Sequence, residues 1–325
     1  MRALVCKAYG PPESLLIEEI DDPVAGDGQI LIEVAAAGIN FPDVLAIAGK
    51  YQVKTPTPFV PGNEAAGTVL SVGAGVTRYA AGDRVIVNSK GGAFAEKVVV
   101  DQNLTMHLPE GLGFELGAGF TVTYGTSYHA LKQSAELMAG ETILVLGAAG
   151  GVGIAAVEIA KSMGARVIAA ASSDEKLEFA RESGADELIN YSTQDLKDTV
   201  RELTAGDGVD VVYDPVGGEL ADAAFRALAW HGRYLVIGFA SGDIPKFQAN
   251  IALLKEASVV GVWWGTWAAR NPQLQVQNMK ELGDLIQSGA LTPRVTESYR
   301  LEDFREAFEA ITARRARGKV ILRMQ

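Results

Sequence analysis

The first third of the chain carries short apolar runs that glycine and proline interrupt repeatedly. The segments ILIEVAAAGIN, GTVLSVGAGV, GDRVIVNS and AEKVVVD each alternate or stay apolar for a few residues before a turn. Runs of this length, rich in valine and isoleucine and bounded by turn residues, are typical of β-strands. The pattern predicts a mostly-β domain of the barrel or sandwich kind over residues 1–122.

After this region, strand-like and helix-like segments begin to alternate. ETILVLG predicts a buried strand, and the following GVGIAAVEIAKSMG places Val152, Ala156, Ile159 and Met163 on one face of a helix. The strand-like segments ARVIAAA, ADELINY, GVDVVYDPVGG, GRYLVIGFASG and SVVGVWWG follow, with helical stretches between several of them. Such alternation predicts an α/β fold, a doubly wound parallel sheet of the Rossmann type over residues 123–264.

The C-terminal stretch LEDFREAFEAITARRARGKVILRM predicts an amphipathic helix followed by a closing strand. Phe304, Phe308 and Ile311 fall on one side of that helix. We expect residues 265–325 to return to the first domain, which would then be discontinuous in sequence.

Composition narrows the class of protein. The content of 48% hydrophobic and 21% charged residues is that of a well-packed globular chain. A net charge of −11 argues against nucleic acid or an anionic membrane surface as the main partner. Apolar runs also stay well below the roughly 20 residues that a membrane span requires. Because the chain has a single cysteine, Cys6, we expect a reducing compartment, the cytoplasm.

The segment LVLGAAGGVGIAAVEIA resembles the G-x-G-x-x-G dinucleotide-binding pattern, read as Ala148-x-Gly150-x-x-Gly153. A strand precedes it and a helix follows, so that the free N–H groups and positive dipole end of the helix face a pyrophosphate. We therefore predict dinucleotide binding here. The predicted contacts are Ala149, Gly150, Gly151, Val152 and Gly153.

The next strand end, AAASSDEK, indicates which dinucleotide is bound. Asp174 lies near the position where NAD-binding proteins carry a ribose-binding acid, but a capping box formed by Ser172 and Glu175 would place it in the first turn of a helix. Hydroxyl groups and an ammonium suit a 2′-phosphate, which a carboxylate would repel. The sequence thus favours NADPH. The predicted 2′-phosphate contacts are Ser172, Ser173, Lys176 and Tyr191.

Taken together, GINFPDVLAIAGKY, PFVPGNEAAGTV, GDRV, GAAGGVG, DPVGG and GKVIL resemble the zinc-free branch of the medium-chain dehydrogenase/reductase superfamily. The resemblance spans the whole chain and is strongest to the NADPH:quinone oxidoreductases, the zeta-crystallin-like family. It implies a GroES-like N-terminal catalytic domain, a Rossmann domain, a cleft between them, and a homodimer joined through the edge of the Rossmann sheet.

Zinc-using relatives carry a ligand cysteine where this chain has Asn40, and Gly-His-Glu where it has Gly62-Asn63-Glu64. With one cysteine and the scattered histidines His107, His129 and His231, the sequence argues against a bound metal. The resemblance thus implies hydride delivery to an acceptor that is already electrophilic, a quinone or a conjugated carbonyl.

Three residues are candidates for the catalytic site. The resemblance implies that Asn40 positions the nicotinamide ribose or a substrate carbonyl, although a turn asparagine that holds its own backbone fits equally well. Asp43 is expected to fix this loop. Tyr51 matches the proton-donating tyrosine of 2-enoyl thioester reductases in the same superfamily, or is an aromatic residue of the cleft.

Further cofactor contacts are implied by the resemblance and by position at strand ends. Trp263 and Trp264 would line the nicotinamide end or belong to a core or subunit interface, and Lys319 would reach a phosphate or lie at a solvated helix end. The implied contacts are Thr123, Val216, Ile237, Gly238, Phe239, Trp263, Trp264 and Lys319.

Three hypotheses on function follow. The favoured one is an NADPH-dependent, metal-independent quinone reductase. The second is a reductase of enones or 2-enoyl thioesters with Tyr51 as acid. The third is a non-catalytic, crystallin-like NADPH-binding protein.

Overall fold

The computed structural model describes residues 1–324, and the chain in it divides into two compact units. The first unit comprises Met1–Val122 and the segment from Arg294 onward, and the second comprises Thr123–Pro293. Each unit is built around its own sheet.

The strands, in chain order, are β1 (Arg2–Val5), β2 (Leu16–Glu19), β3 (Gln29–Ile39), β4 (Glu64–Val72), β5 (Arg84–Asn88), β6 (Lys97–Asp101), β7 (Thr105–His107), β8 (Thr142–Leu146), β9 (Arg166–Ala171), β10 (Glu187–Asn190), β11 (Val209–Asp214), β12 (Leu228–Val236), β13 (Ser258–Gly261), β14 (Val295–Arg300) and β15 (Lys319–Arg323). The α-helices are α1 (Phe41–Ile47), α2 (Phe114–Ala118), α3 (Thr121–His129), α4 (Gly151–Ser162), α5 (Asp174–Glu182), α6 (Leu196–Leu203), α7 (Leu220–Arg226), α8 (Ala249–Lys255), α9 (Trp264–Arg270), α10 (Pro272–Gln287) and α11 (Phe304–Thr312).

The first unit is organised around a largely antiparallel sheet. Its strand order is β14-β15-β3-β4-β5-β7, with β6 also paired to β3. Strand β3 alternates buried and more exposed residues in its first half and is almost wholly buried in its second half. That second half pairs with β15 on one side and β4 on the other, so polar residues at the ends of these three strands are brought together.

The second unit has a six-stranded parallel sheet in the order β10-β9-β8-β11-β12-β13. Counted from β8, this is the order 3-2-1-4-5-6 of the Rossmann fold, and the strand order reverses beside β8. Strands β8, β9 and β11 carry runs of buried valine, isoleucine, leucine and alanine, as parallel strands covered on both faces do. The predicted fold class is confirmed.

The chain returns to the first unit at Arg294, later than the expected residue 265. Helices α9 and α10 belong to the second unit instead. There the indole of Trp264 lies against Gly125, and the amide of Asn278 is paired with that of Gln133. Within the described chain, helices that combine the length and the apolar character of a membrane span are absent.

Candidate active site

A buried polar cluster lies where β3, β4 and β15 meet in the first unit. Gly38 pairs with Glu64 across β3 and β4, and Ile39 pairs with Val320 across β3 and β15. This register brings the side chains of Asn40, Glu64 and Lys319 together, although Glu64 and Lys319 are 255 positions apart.

The centre of the cluster is an ion pair between Lys319 and Glu64. Nζ of Lys319 lies 2.6 Å from Oε1 of Glu64, 2.6 Å from Oδ1 of Asn40 and 3.0 Å from the carbonyl oxygen of Ile39. All three ammonium protons therefore have acceptors. The two side chains are 6% and 0% exposed, so the pair is shielded from solvent.

Glu64 is also the acceptor for the start of helix α3. Its Oε2 accepts hydrogen bonds from Oγ1 of Thr121, at 2.8 Å, and from the main-chain N–H of Val122, at 2.9 Å. Its Oε1 accepts from Nδ2 of Asn40 at 2.8 Å in addition to Lys319. A carboxylate at a helix N-terminus is stabilised by the unpaired N–H groups and the dipole there.

Asp43 holds the turn that follows β3. Its Oδ2 accepts the N–H of Asn40 at 2.8 Å, and its Oδ1 accepts Nδ2 of Asn63 at 2.8 Å. Burial raises the pKa of the Asp43 carboxyl to about 7, against the lowering effect of the N–H of Asn40 and the charge of Lys319. This geometry agrees with the expectation that Asp43 fixes the loop.

The amides at positions 40 and 63 are thus both engaged within the cluster. Among residues 1–324, groups of three or more His, Cys, Asp and Glu side chains placed to hold a metal ion are not found. The positive charge of the cluster is supplied by the ammonium of Lys319.

In the second unit, the glycine-rich segment forms the turn between β8 and α4. Gly147 has φ of +56°, a left-handed conformation that favours glycine. A Cβ on Gly153 would lie 2.3 Å from the carbonyl oxygen of Gly147, so the helix and the turn approach as closely as backbone allows. The turn thus lies directly before the N-terminus of α4, a position whose unpaired N–H groups can hold an anion.

Two residues that the sequence analysis did not identify, Ser127 and Tyr213, contact the start of α4 just after this turn. Oγ of Ser127 donates to the carbonyl oxygen of Val152 at 2.9 Å, and its oxygen lies 2.8 Å from the hydroxyl of Tyr213. Both hydroxyl groups are buried, and burial raises the pKa of Tyr213. They tie helix α3 and strand β11 to the first turn of α4.

The end of β9 carries the predicted 2′-phosphate contacts. Nζ of Lys176 lies 3.3 Å from Oγ of Ser172, and pairing of Ala171 with Asn190 places Tyr191 beside Ser172. The cap of helix α5 is Ser173, however, whose side chain accepts from the N–H of Lys176; the predicted capping box at Ser172 is therefore wrong by one residue.

Asp174 lies in the first turn of α5, as expected. Its carboxylate accepts a hydrogen bond from Nδ2 of Asn190 at 2.7 Å and is exposed. The strand end therefore carries hydroxyl and ammonium groups at Ser172, Ser173 and Lys176 beside the hydrogen-bonded carboxylate of Asp174.

The other strand-end contacts meet around Asp214. Its buried carboxylate accepts from the N–H of Val216 and from the hydroxyl of Tyr234, while its carbonyl oxygen accepts from the N–H groups of Ile237 and Gly238. A Cβ on Gly217 would lie 3.2 Å from the ring of Phe239. Val216, Ile237, Gly238 and Phe239 thus share the carboxyl edge of the sheet, where ligands of such sheets bind.

The remaining candidate site residues differ in how far their side chains are exposed to solvent. Thr123 is buried in α3, Trp263 is 54% exposed, and Trp264 is buried with its Nε1 donating to Gln275. Tyr51 is half-buried in the loop after α1, with its main-chain N–H bonded to the carbonyl oxygen of Leu45.

The expectation for Lys319 requires correction. The residue is neither at a solvated helix end nor free to reach a phosphate, because it begins β15 and its ammonium is saturated by Ile39, Asn40 and Glu64. Asn40 likewise has its Oδ1 and one side-chain N–H taken up by Lys319 and Glu64. Its contact with ribose or substrate stays a prediction.

Comparison with known families agrees with the two units. Residues 26–110 match the alcohol dehydrogenase GroES-like domain, and residues 151–286 match the zinc-binding dehydrogenase domain. This combination defines the medium-chain dehydrogenase/reductase class. The name of the second domain refers to zinc, whereas this chain has amides at positions 40 and 63.

More specific similarity comes from individual proteins. The chain is 40% identical to quinone oxidoreductase-like protein 2 homolog of Nematostella vectensis, over 99% of this chain and 88% of the relative. The crystal structure of Escherichia coli quinone oxidoreductase complexed with NADPH superposes with a TM-score of 0.93 at 30% identity, covering 99% of this chain and 100% of that one. CurK enoyl reductase superposes with a TM-score of 0.90 at 27% identity, covering 100% and 98%. The chain belongs to the quinone oxidoreductase family, and the predicted resemblance is confirmed.

Proposed function

We propose that this protein is an NADPH-dependent oxidoreductase that transfers hydride to quinones. The observation that carries the proposal is the pairing of the glycine-rich turn before α4 with the hydroxyl and ammonium groups at the end of β9. The first fits a pyrophosphate, and the second fits a 2′-phosphate. The quinone reductases among its relatives support the same assignment.

When bound, the reduced nicotinamide supplies the hydride, and this chain's residues bind and orient. The main chain of the glycine-rich turn would hold the pyrophosphate, and Ser172, Ser173, Lys176 and Tyr191 would hold the 2′-phosphate. Val216, Ile237, Gly238 and Phe239 would line the path of the dinucleotide along the sheet edge. Quinone carbonyls are already conjugated, so a hydrogen-bond donor such as Asn40 suffices to orient them.

The cofactor preference gives one test. In a Ser173→Gly/Lys176→Ala variant, the dissociation constant for NADPH should rise about 10²–10⁴-fold, since each of the two charge-assisted hydrogen bonds lost contributes about 1.5–3 kcal/mol. Glycine is used at position 173 because it keeps most of the cap of α5. The constant for NADH should change little, measured by fluorescence titration.

Lys197→Ala, at a partly exposed position in the first turn of α6, is the matched control and should bind both nucleotides as the wild type does. Equal losses for NADPH and NADH in the double variant would contradict the proposed 2′-phosphate site.

A second candidate function is reduction of enones or 2-enoyl thioesters. The observations that favour it are the similarity to CurK enoyl reductase and the half-buried Tyr51 in a solvent-facing loop. Within residues 1–324 the phenol of Tyr51 makes no hydrogen bond, so its proton is available to an enolate. A positioned phenol is a suitable proton donor to an enolate.

An acceptor screen separates the two functions. With NADPH, 1,4-benzoquinone should be reduced faster than crotonyl thioesters or enones, and Tyr51→Phe should leave quinone reduction nearly unchanged. If Tyr51 is an acid for enones, their reduction should fall about 10²-fold in Tyr51→Phe, because a positioned proton donor contributes factors of this size. Faster turnover of the thioesters by the wild type would favour the second function.

We also propose that the protein forms a homodimer through the outer edge of the parallel sheet, at β13. Among residues 1–324, strand β13 pairs with β12 and with no other strand, and an exposed strand edge is a template for pairing. Large apolar side chains are exposed on β13 and on the elements next to it in sequence: Val259 in β13, Trp263 just after it, Leu253 and Leu254 in α8, and Trp230 in β12. A two-fold axis at this edge would continue the sheet and cover those side chains in both copies.

Val259→Lys should therefore shift the protein from dimer to monomer, because the charge would be buried at the paired edge. Light scattering after size exclusion measures the mass, and circular dichroism checks that the fold is kept. Val24→Lys, at an exposed apolar position of the first unit, should leave the mass unchanged. A monomeric wild type, or a Val259→Lys dimer, would exclude this interface.

A further inference from the structure

The orientation of the Asn40 amide follows from the chemistry of its two charged neighbours. The ammonium of Lys319 can only donate hydrogen bonds, so the atom of Asn40 that faces it at 2.6 Å must be the carbonyl oxygen Oδ1. The carboxylate of Glu64 can only accept, so the atom facing it at 2.8 Å must be Nδ2. The reversed amide would lose both hydrogen bonds and bring like groups together.

In this orientation, one of the two side-chain N–H groups of Asn40 has only a long hydrogen bond within the protein. Nδ2 has two hydrogens, and apart from Glu64 its partner is the carbonyl oxygen of Gly38 at 3.5 Å, the outer limit of a hydrogen bond. Asn40 therefore has an N–H to offer, while its oxygen is occupied by Lys319. Such an N–H group recognises a hydrogen-bond acceptor, such as the carbonyl oxygen of a substrate.

The ion pair has no room to rearrange. A Cβ on Gly38 would lie 2.7 Å from Oε1 of Glu64 and 2.8 Å from Cε of Lys319, and one on Gly119 would lie 2.6 Å from Cγ of Lys319. The stem of the lysine is thus enclosed by backbone on two sides. Both charges are buried, so neither has water as an alternative partner.

We propose that Lys319 and Glu64 are positioning residues that set the polarity of Asn40, so that it presents an N–H donor to the carbonyl oxygen of the acceptor. The pair acts through the amide and does not itself touch substrate. The expected effect on turnover rests on the proposed quinone reduction. The orientation of the amide is independent of that function.

The test uses a variant in which both side chains keep about the same volume but lose the charges that orient the amide of Asn40. In Glu64→Gln/Lys319→Met, the carbonyl oxygen of the new glutamine can still accept from Thr121 and Val122. Its NH₂ group would then face Asn40, which must turn its own oxygen toward it. With NADPH and 1,4-benzoquinone, kcat should fall about 10²-fold, the size of effect that follows loss of a positioned donor. KM for NADPH should change less than threefold.

Asn40→Ala should show a similar loss of about 10²-fold in kcat, for the same reason. Because the pair acts through Asn40, adding Asn40→Ala to the double variant should lower kcat no further, whereas independent contributions would multiply to about 10⁴-fold. Multiplying losses would overturn the proposal. A stable double variant with the kcat of the wild type would do so as well.

A readout without substrate or cofactor separates this inference from the proposed function. In protein labelled with ¹⁵N-asparagine, the side-chain amide of Asn40, identified by its absence in Asn40→Ala, should exchange slowly with water and shift in the double variant. An unchanged resonance would refute the positioning role. Slow exchange and a shift in the double variant, in a wild-type protein that reduces no quinone, would contradict the proposed function and retain the orienting pair.

Discussion

Glu64→Gln alone is expected to lower the free energy of unfolding by about 3–5 kcal/mol, the cost of leaving a buried charge without its partner. The ammonium of Lys319 would remain enclosed, with only the oxygens of Ile39 and Asn40 as partners. The carboxamide would also place an NH₂ group among donors that now converge on the carboxylate. The loss arises from removal of the counter-charge and not from lost volume, because glutamine is nearly isosteric with glutamate.

Denaturant unfolding at neutral pH measures this loss, and two comparisons identify its source. Glu64→Gln/Lys319→Met should recover most of the stability, since a neutral pair of similar volume avoids the desolvation of both charges. Glu178→Gln, which breaks the exposed pair with Arg181, should change stability by less than about 1 kcal/mol. If Glu64→Gln is as mild as Glu178→Gln, the buried pair is not the anchor of this cluster.

Much of the fold could be predicted because its signals are local. The apolar spacing in GVGIAAVEIAKSMG predicted helix α4, and the strand-like segments that alternate with helical ones became the parallel strands in Rossmann order. The C-terminal helix and strand, α11 and β15, were also predicted from a short amphipathic pattern and an apolar run. Each of these depends only on residues within one turn or one strand.

The errors arose where the deciding interaction is not local or where two residues compete. Both Ser172 and Ser173 are good caps, and only the geometry of the strand end selects Ser173. The chain returns at Arg294 because α9 and α10 pack against α3 through Trp264 and against the helical turn after α3 through Asn278, which no change in composition near residue 265 signals.

In the candidate site, too, the features with local sequence signals were predicted and those that depend on distant residues were not. The glycine-rich turn was found because glycine spacing, strand and helix are contiguous in sequence. The role of Lys319 was missed because its partners lie on β3 and β4, far away in sequence, and only the register of three strands brings them together. A lysine before a short apolar run looks solvated when viewed by itself. Its neighbour Gly318 has φ of +62°, a left-handed conformation at the entry into β15.

Gly153→Ala is expected to abolish NADPH binding, with a rise of more than about 10²-fold in the dissociation constant. The added Cβ would lie 2.3 Å from the carbonyl oxygen of Gly147 and 2.9 Å from Cα of Ala148. Both are backbone atoms of the tight turn, so relief requires α4 to move away from β8, and overpacking of this kind costs about 1–3 kcal/mol or more.

Fluorescence titration and thermal unfolding report the two consequences separately. Gly283→Ala in α10 is the matched control, since a Cβ there meets no atom within 4 Å and alanine favours a helix. This control should bind NADPH normally and melt no lower than the wild type. If Gly153→Ala binds NADPH with the affinity of the wild type, the cofactor does not depend on the close approach of α4 to the turn, and the assignment of the pyrophosphate site fails.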